Sequence, residues 1–127
     1  MAIVRPESRF KKLTRYLLAI LFVVAGANHF LYTDFYVSIM PPYLPWHLEL
    51  VYISGVAEMS LGLLLLLRRW SVYAAWGLIA LLIAVFPANI HMALHPELYP
   101  TLSTSGLWLR LPLQGVLMWW AYRYTRQ

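Results

Sequence analysis

Four apolar runs divide the chain, approximately Leu13 to Leu31, Leu48 to Leu67, Ser71 to Leu94 and Leu107 to Tyr124, with short polar or proline-rich connections between them. Each is close to the roughly 20 residues that a helix rising about 1.5 Å per residue needs to cross about 30 Å of hydrocarbon. Backbone polar groups have no water to pair with in lipid, so the runs are predicted to be helices whose N–H and C=O groups pair internally. The pattern predicts an all-α protein, a four-helix transmembrane bundle that takes up residues 1–127 as a single integral membrane domain.

Composition agrees with the pattern. The chain is 61% hydrophobic and 12% charged, with a mean hydropathy of +0.63, well beyond ordinary soluble domains. Its formal net charge of +5 would suggest a nucleic-acid partner in a soluble protein. Here the placement of the charges matters more. Arg5, Arg9, Lys11, Lys12 and Arg15 precede or open the first run, Arg68 and Arg69 separate the second and third, and Arg123 and Arg126 follow the fourth. The other two connections, around Asp34 to His47 and His95 to Gly106, hold no Lys or Arg. This is the positive-inside distribution, and it predicts cytoplasmic N- and C-termini. The basic residues are then accounted for by topology and by anionic lipid heads, with no nucleic-acid partner.

The start of the chain also has the look of a secretory signal, with basic residues, the apolar run Tyr16 to Val24 and the small residues Ala25, Gly26 and Ala27. Apolar character resumes at Phe30 and Leu31, and an even-numbered bundle needs this helix, so it is read as a retained span. Pro41, Pro42, Tyr43, Leu44, Pro45 and Trp46 resist helix and suit a cap at the membrane interface. His47 and His95 are expected to be solvated, and Gly26, Gly55, Gly62, Gly77 and Gly115 to mark close helix contacts.

The absence of cysteine excludes thiolate chemistry, iron–sulfur ligation and covalent c-type haem within this polypeptide. Candidate chemistry lies instead in polar residues inside the apolar runs, where each ionisable group costs roughly 2.5–3.5 kcal/mol at a helix centre and calls for a partner. Glu58 sits mid-helix with Ser54, Gly55 and Gly62 one turn to either side, a small and polar face that should point inward. Its expected partner is Arg110, directly or through Gln114 one turn deeper. Asn28, His29, Asn89, His91 and Arg110 all fall in the outer third of the membrane on three helices, and Pro87 should open space beside them. Asn89 and His91 are two positions apart, so at most one should share a centre with Glu58. The set Asn28, His29, Glu58, Asn89, His91, Arg110 and Gln114 is therefore the candidate ligand-binding cluster. It is open to three readings: a hydrogen-bonding network that fixes helix register, a small-molecule or cofactor pocket opening outward, or, least favoured, a metal or haem site through His29 and His91. No dedicated metal site is expected.

Several segments together resemble the DoxX-like family of small bacterial membrane proteins: Gly26 to Phe30 (GANHF), Pro41 to Pro45 (PPYLP), Leu50 to Glu58 (LVYISGVAE), Ala74 to Gly77 (AAWG), Phe86 to Ala93 (FPANIHMA) and Arg110 to Gln114 (RLPLQ). The resemblance implies a four-helix bundle in the bacterial inner membrane. It carries no set of catalytic residues onto this chain. The family takes its name from a subunit of an archaeal thiosulfate:quinone oxidoreductase, and relatives are linked to redox-enzyme maturation, oxidative-stress complexes and receptor assembly. The expectation is an accessory or small-ligand-binding membrane protein, with a protein partner or a homo-oligomer as its assembly. A quinone-linked oxidoreductase subunit is the alternative, in which Glu58 handles a proton and His29 or His91 meets a quinone or a haem.

Overall fold

The computed structural model describes residues 6–126; Arg5, one of the basic residues above, lies outside them. The described chain is all helix and turn. Its elements are α1 (Arg9–Leu31), α2 (Thr33–Ser38), α3 (His47–Leu66), α4 (Arg68–Leu94) and α5 (Thr104–Tyr122), with single 3₁₀ turns at Pro96–Leu98 and Arg123–Thr125. The all-α expectation holds, and the four apolar runs become α1, α3, α4 and α5.

Helix α1 starts four residues earlier than the apolar run, because Ser8 caps it: the Ser8 Oγ accepts from the Lys11 N–H at 3.1 Å. Ser103 caps α5 in the same way through the Gly106 N–H at 3.0 Å. Helices α3 and α4 are joined by Leu67 alone, in an extended conformation. The connection after α1 differs from expectation, since Thr33–Ser38 forms a short helix before the proline-rich stretch begins. The stretch itself is non-helical and ends at Trp46, whose φ of 54° is unusual for a bulky residue. His47 braces it by donating from Nε2 to the Pro41 carbonyl at 3.1 Å, so this histidine is partly buried and bonded rather than solvated.

Helices α1, α3 and α4 are each long and apolar enough to cross a membrane, which marks the chain as a multi-pass membrane protein. Helix α5 has 19 residues but is less apolar, since it carries Arg110, Gln114 and three tryptophans. Apolar side chains such as Ile20, Ile53, Leu63, Ile83, Leu109 and Val116 are exposed along the helices. That much exposed apolar surface suits lipid and not water.

Packing is built from pairs: α1 on α3, α3 on α4 and α4 on α5. Glycine sets the closest of these. A Cβ on Gly26 would lie 2.6 Å from the Gly55 carbonyl oxygen and 2.8 Å from the Met59 nitrogen, and one on Gly62 would lie 2.9 Å from the Ala19 carbonyl oxygen. Backbone meets backbone along this seam, as small residues allow in membranes. Gly115 departs from the expected pattern, as nothing lies within 4 Å of where its Cβ would be.

The main core, with Leu18, Ala19, Phe22, Leu65, Ala75 and Leu78, occupies the basic end and the middle. A smaller cluster of Met92, Ala93, Tyr99 and Leu107 closes the opposite end. At the basic end Arg15 is 2% exposed and bidentate with Glu7, through Nε and Nη2 each at 3.0 Å, while its Nη1 donates to the Leu65 carbonyl at 2.5 Å. Arg15 is thus a buried strut between α1 and α3, and not merely one of a set of topology-setting cations. The end of α5 and the turn after it are tied to α1 next to this pair: Trp120 Nε1 donates to the Tyr124 hydroxyl at 2.9 Å, which donates to Thr14 Oγ1 at 2.7 Å.

Candidate functional site

The structure divides the predicted polar cluster into three. The first joins α1, α2 and α3. His29 Nδ1 lies 2.8 Å from the Ala25 carbonyl, which can only accept, so Nδ1 carries the hydrogen. The same nitrogen is 3.3 Å from Glu58 Oε2, with the two side chains only 12% and 18% exposed. Because the N–H is directed at Ala25, Glu58 Oε2 is left buried with no aligned hydrogen-bond donor. Tyr36 of α2 stacks on the other side of this arrangement, its ring 4.1 Å from that of His29. Burial pushes the Tyr36 hydroxyl above its ordinary value of 10.0, the charge of Glu58 pushes the same way, and that of Arg110 opposes them.

The expected Glu58–Arg110 pair is not formed. Glu58 has His29 as its ion-pair neighbour instead, and Arg110 makes no hydrogen bond or ion pair among the described residues. Depth explains the difference: Arg110 is in the second turn of α5, near one end of the bundle, whereas Glu58 is near the middle of α3. Arg110 reaches the cluster only as a field felt at Tyr36.

The second group joins α4 to α5. Asn89 Nδ2 donates to Gln114 Oε1 at 2.6 Å, and Gln114 Nε2 donates to the Leu82 carbonyl in the turn before Pro87. Gln114, 3% exposed, is therefore satisfied on both sides within the protein and does not relay Arg110 to Glu58. The third group lies beyond it at the far end of α4. His91 has the Tyr99 hydroxyl 3.3 Å from its Nδ1, the Tyr43 ring edge-on at 5.2 Å and the His95 ring at 4.6 Å. His95 approaches Glu97 at 3.4 Å, with both side chains exposed, so His95 is solvated as expected. His29 and His91 thus share no hydrogen-bonding or ring partner among the described residues, an arrangement that does not suit paired axial ligation. The Asn28 side chain makes no hydrogen bond among the described residues; the Asn28 backbone carbonyl accepts the Tyr32 N–H at 2.8 Å, at the break between α1 and α2.

Glu58 also faces a cleft. A pocket of about 300 Å³ is lined by Leu21, Phe22 and Ala25 of α1, Glu58 of α3, Leu82 of α4, and Leu113 and Leu117 of α5. It forms where α1 and α5 do not pack closely on each other. Six of its seven lining residues are apolar, and Glu58 is the exception. The volume is at the lower end of the range for small-molecule sites.

A family model described as a domain of unknown function (DUF8561) matches residues 18–125. The chain belongs to this family. The matched segment takes in every residue of the cleft and all three polar groups, whereas Glu7 and Arg15 precede it. No curated protein and no solved structure matches the chain.

Tyr36, Tyr43 and Tyr99 belong to these groups but carry no signal in the sequence that would select them. Tyr36 follows His29 at a spacing that would place it on the same face of an unbroken helix, yet the chain breaks at Tyr32. The Arg15–Glu7 pair was more legible: Arg15 interrupts an apolar run, and Glu7 is the one acid among the basic residues of the first 20 positions.

Proposed function

We propose that the protein is a four-span membrane protein with cytoplasmic termini, of the DoxX-like type and resident in a bacterial inner membrane, which binds a small amphipathic molecule in the cleft at Glu58. One observation carries this reading: a single buried carboxylate oxygen without a donor, on a side chain that walls an otherwise apolar cleft. The Asn89–Gln114–Leu82 chain has closed its own hydrogen bonds and serves helix register. Glu58 has not closed its own, and a buried unsatisfied acceptor costs about 1–3 kcal/mol that a ligand's donor recovers. The ligand class follows: an apolar body filling the space among Leu21, Phe22, Leu82 and Leu117, and one hydroxyl or amine head directed at Glu58. A reduced quinone has that chemistry, so the quinone-linked reading persists as one member of the class. The loose contact between α1 and α5 supports entry sideways from the bilayer.

Ala25→Phe tests the reading by placing a ring in the cleft. The molecule extracted with the wild-type chain is expected to fall at least about tenfold in the variant at unchanged helix content; equal recovery from both would contradict binding in the cleft. Topology is tested in the cysteine-free chain with single cysteines. Ser38→Cys and Ser105→Cys should react with an impermeant maleimide in intact cells, and Arg126→Cys only after lysis. The opposite pattern would reverse the orientation, and labelling of Arg126→Cys together with one outer position would change the span count.

A further inference from the structure

We propose that the hollow between the start of α1 and the end of α5 is a headgroup site for an anionic phospholipid. It is lined by Lys11, Trp119, Tyr122, Arg123 and Arg126 and encloses about 430 Å³. Three of its five lining residues are cations and none is an acid. A neighbouring hollow of about 340 Å³ also holds cations, but Glu7 lines it and is bonded to Arg15 there. Among the described residues, the positive charge of the first hollow has no such internal answer.

The cations are held in place. The Arg123 guanidinium lies over the Trp119 ring at 5.6 Å, and that of Arg126 over the Tyr122 ring at 5.2 Å. Arg126 Nη2 donates to the Tyr122 hydroxyl at 2.6 Å, and Lys11 Nζ donates to the Arg126 carbonyl at 3.0 Å, tying the two ends of the chain around the hollow. Stacking leaves the in-plane N–H donors of Arg123, and those of Arg126 not bonded to Tyr122, directed outward for phosphate oxygens. Tryptophan and tyrosine at the end of a spanning bundle sit at headgroup depth, which puts the hollow where a lipid phosphate is found. The occupant is a lipid and not a soluble phosphate because exposed Trp119 offers apolar surface for the start of an acyl chain beside the charges. This inference rests on the reading that α5 spans the bilayer and ends at its surface.

The experiment is native mass spectrometry of the full chain offered equal amounts of phosphatidylglycerol and phosphatidylcholine, with flotation on pure phosphatidylcholine vesicles as a separate check of insertion. The wild type is expected to retain phosphatidylglycerol selectively. Each guanidinium hydrogen-bonded to the lipid phosphate in the hollow contributes at least about a fivefold preference, so Arg123→Gln with Arg126→Gln should lower the selectivity at least about 25-fold. Arg123→Gln alone, which breaks only a ring contact, should lower it about fivefold and serves if the double variant does not fold. Arg9→Gln with Arg69→Gln removes the same charge from the same end outside the hollow and should change it little. Equal loss in that control would replace the site by diffuse attraction and overturn the proposal. Displacement of the lipid by millimolar inorganic phosphate would overturn the lipid assignment. A chain that floats without selectivity fails this inference alone, and one that does not float fails the membrane reading beneath it.

Discussion

Gly26→Ala is expected to destabilise the bundle by about 3 kcal/mol, at the upper end for overpacking a filled interface. The added methyl is itself the clash: it would lie 2.6 Å from the Gly55 carbonyl oxygen and 2.8 Å from the Met59 backbone nitrogen, so the α1 and α3 backbones must separate. Separation also spoils the site, because His29 and Glu58 are held 3.3 Å apart across the same seam. Gly115→Ala is the matching control. Nothing lies within 4 Å of that Cβ, so alanine should be neutral or gain up to about 1 kcal/mol from its better helix propensity. Unfolding in mixed micelles by titration with a denaturing detergent measures both. Equal effects at the two glycines would mean that the seam is not closely packed.

Arg15→Met is expected to cost about 3 kcal/mol, the lower end of the range for removing one partner of a buried pair, since Glu7 precedes the helix and can turn to water. The loss has two parts: Glu7 is stranded, and the Leu65 carbonyl loses a donor at 2.5 Å. Replacing both partners, as Glu7→Gln with Arg15→Met, should recover much of the cost. A double variant no better than Arg15→Met would show that the Leu65 contact carries the effect. The pair also fixes a pH dependence. Burial of Glu7 pushes its carboxyl up, but the hydrogen bonds and charge of Arg15, with Arg68 and Lys11 adding, outweigh burial and hold it below its ordinary value of 4.5. The folded form therefore binds its proton less readily than the unfolded chain. Its stabilisation is complete above about pH 4.5 and is lost as pH falls through the lowered value. Arg15→Met should flatten that acid limb.

The helices were legible because hydropathy over some 20 residues depends on lipid alone and not on partners. Arg9 and Thr104 as true helix starts were less so, because Ser8 and Ser103 extend the helices beyond the apolar runs. Residue type identified Glu58, His29 and Gln114 as buried polar groups, yet their pairing could not be read. Arg110 was chosen for Glu58 by charge, whereas helix contact places His29 there. His91 and Asn89, two positions apart, were correctly expected to diverge: Asn89 turns to Gln114 and His91 to Tyr99. The cleft itself has no sequence signature, since it is a gap between α1 and α5 left by the way each packs on a different neighbour.

The most direct measurement is the mass of the intact chain released from its own membrane under native conditions. One amphipathic molecule bearing a hydroxyl or amine, bound one to one and lost in both Ala25→Phe and Glu58→Leu, is the result expected for a ligand seated in the cleft. The 14.8 kDa chain carrying only bulk lipid, in the same proportions for all three proteins, would contradict it and leave the Glu58–His29 contact as a fixture of helix packing.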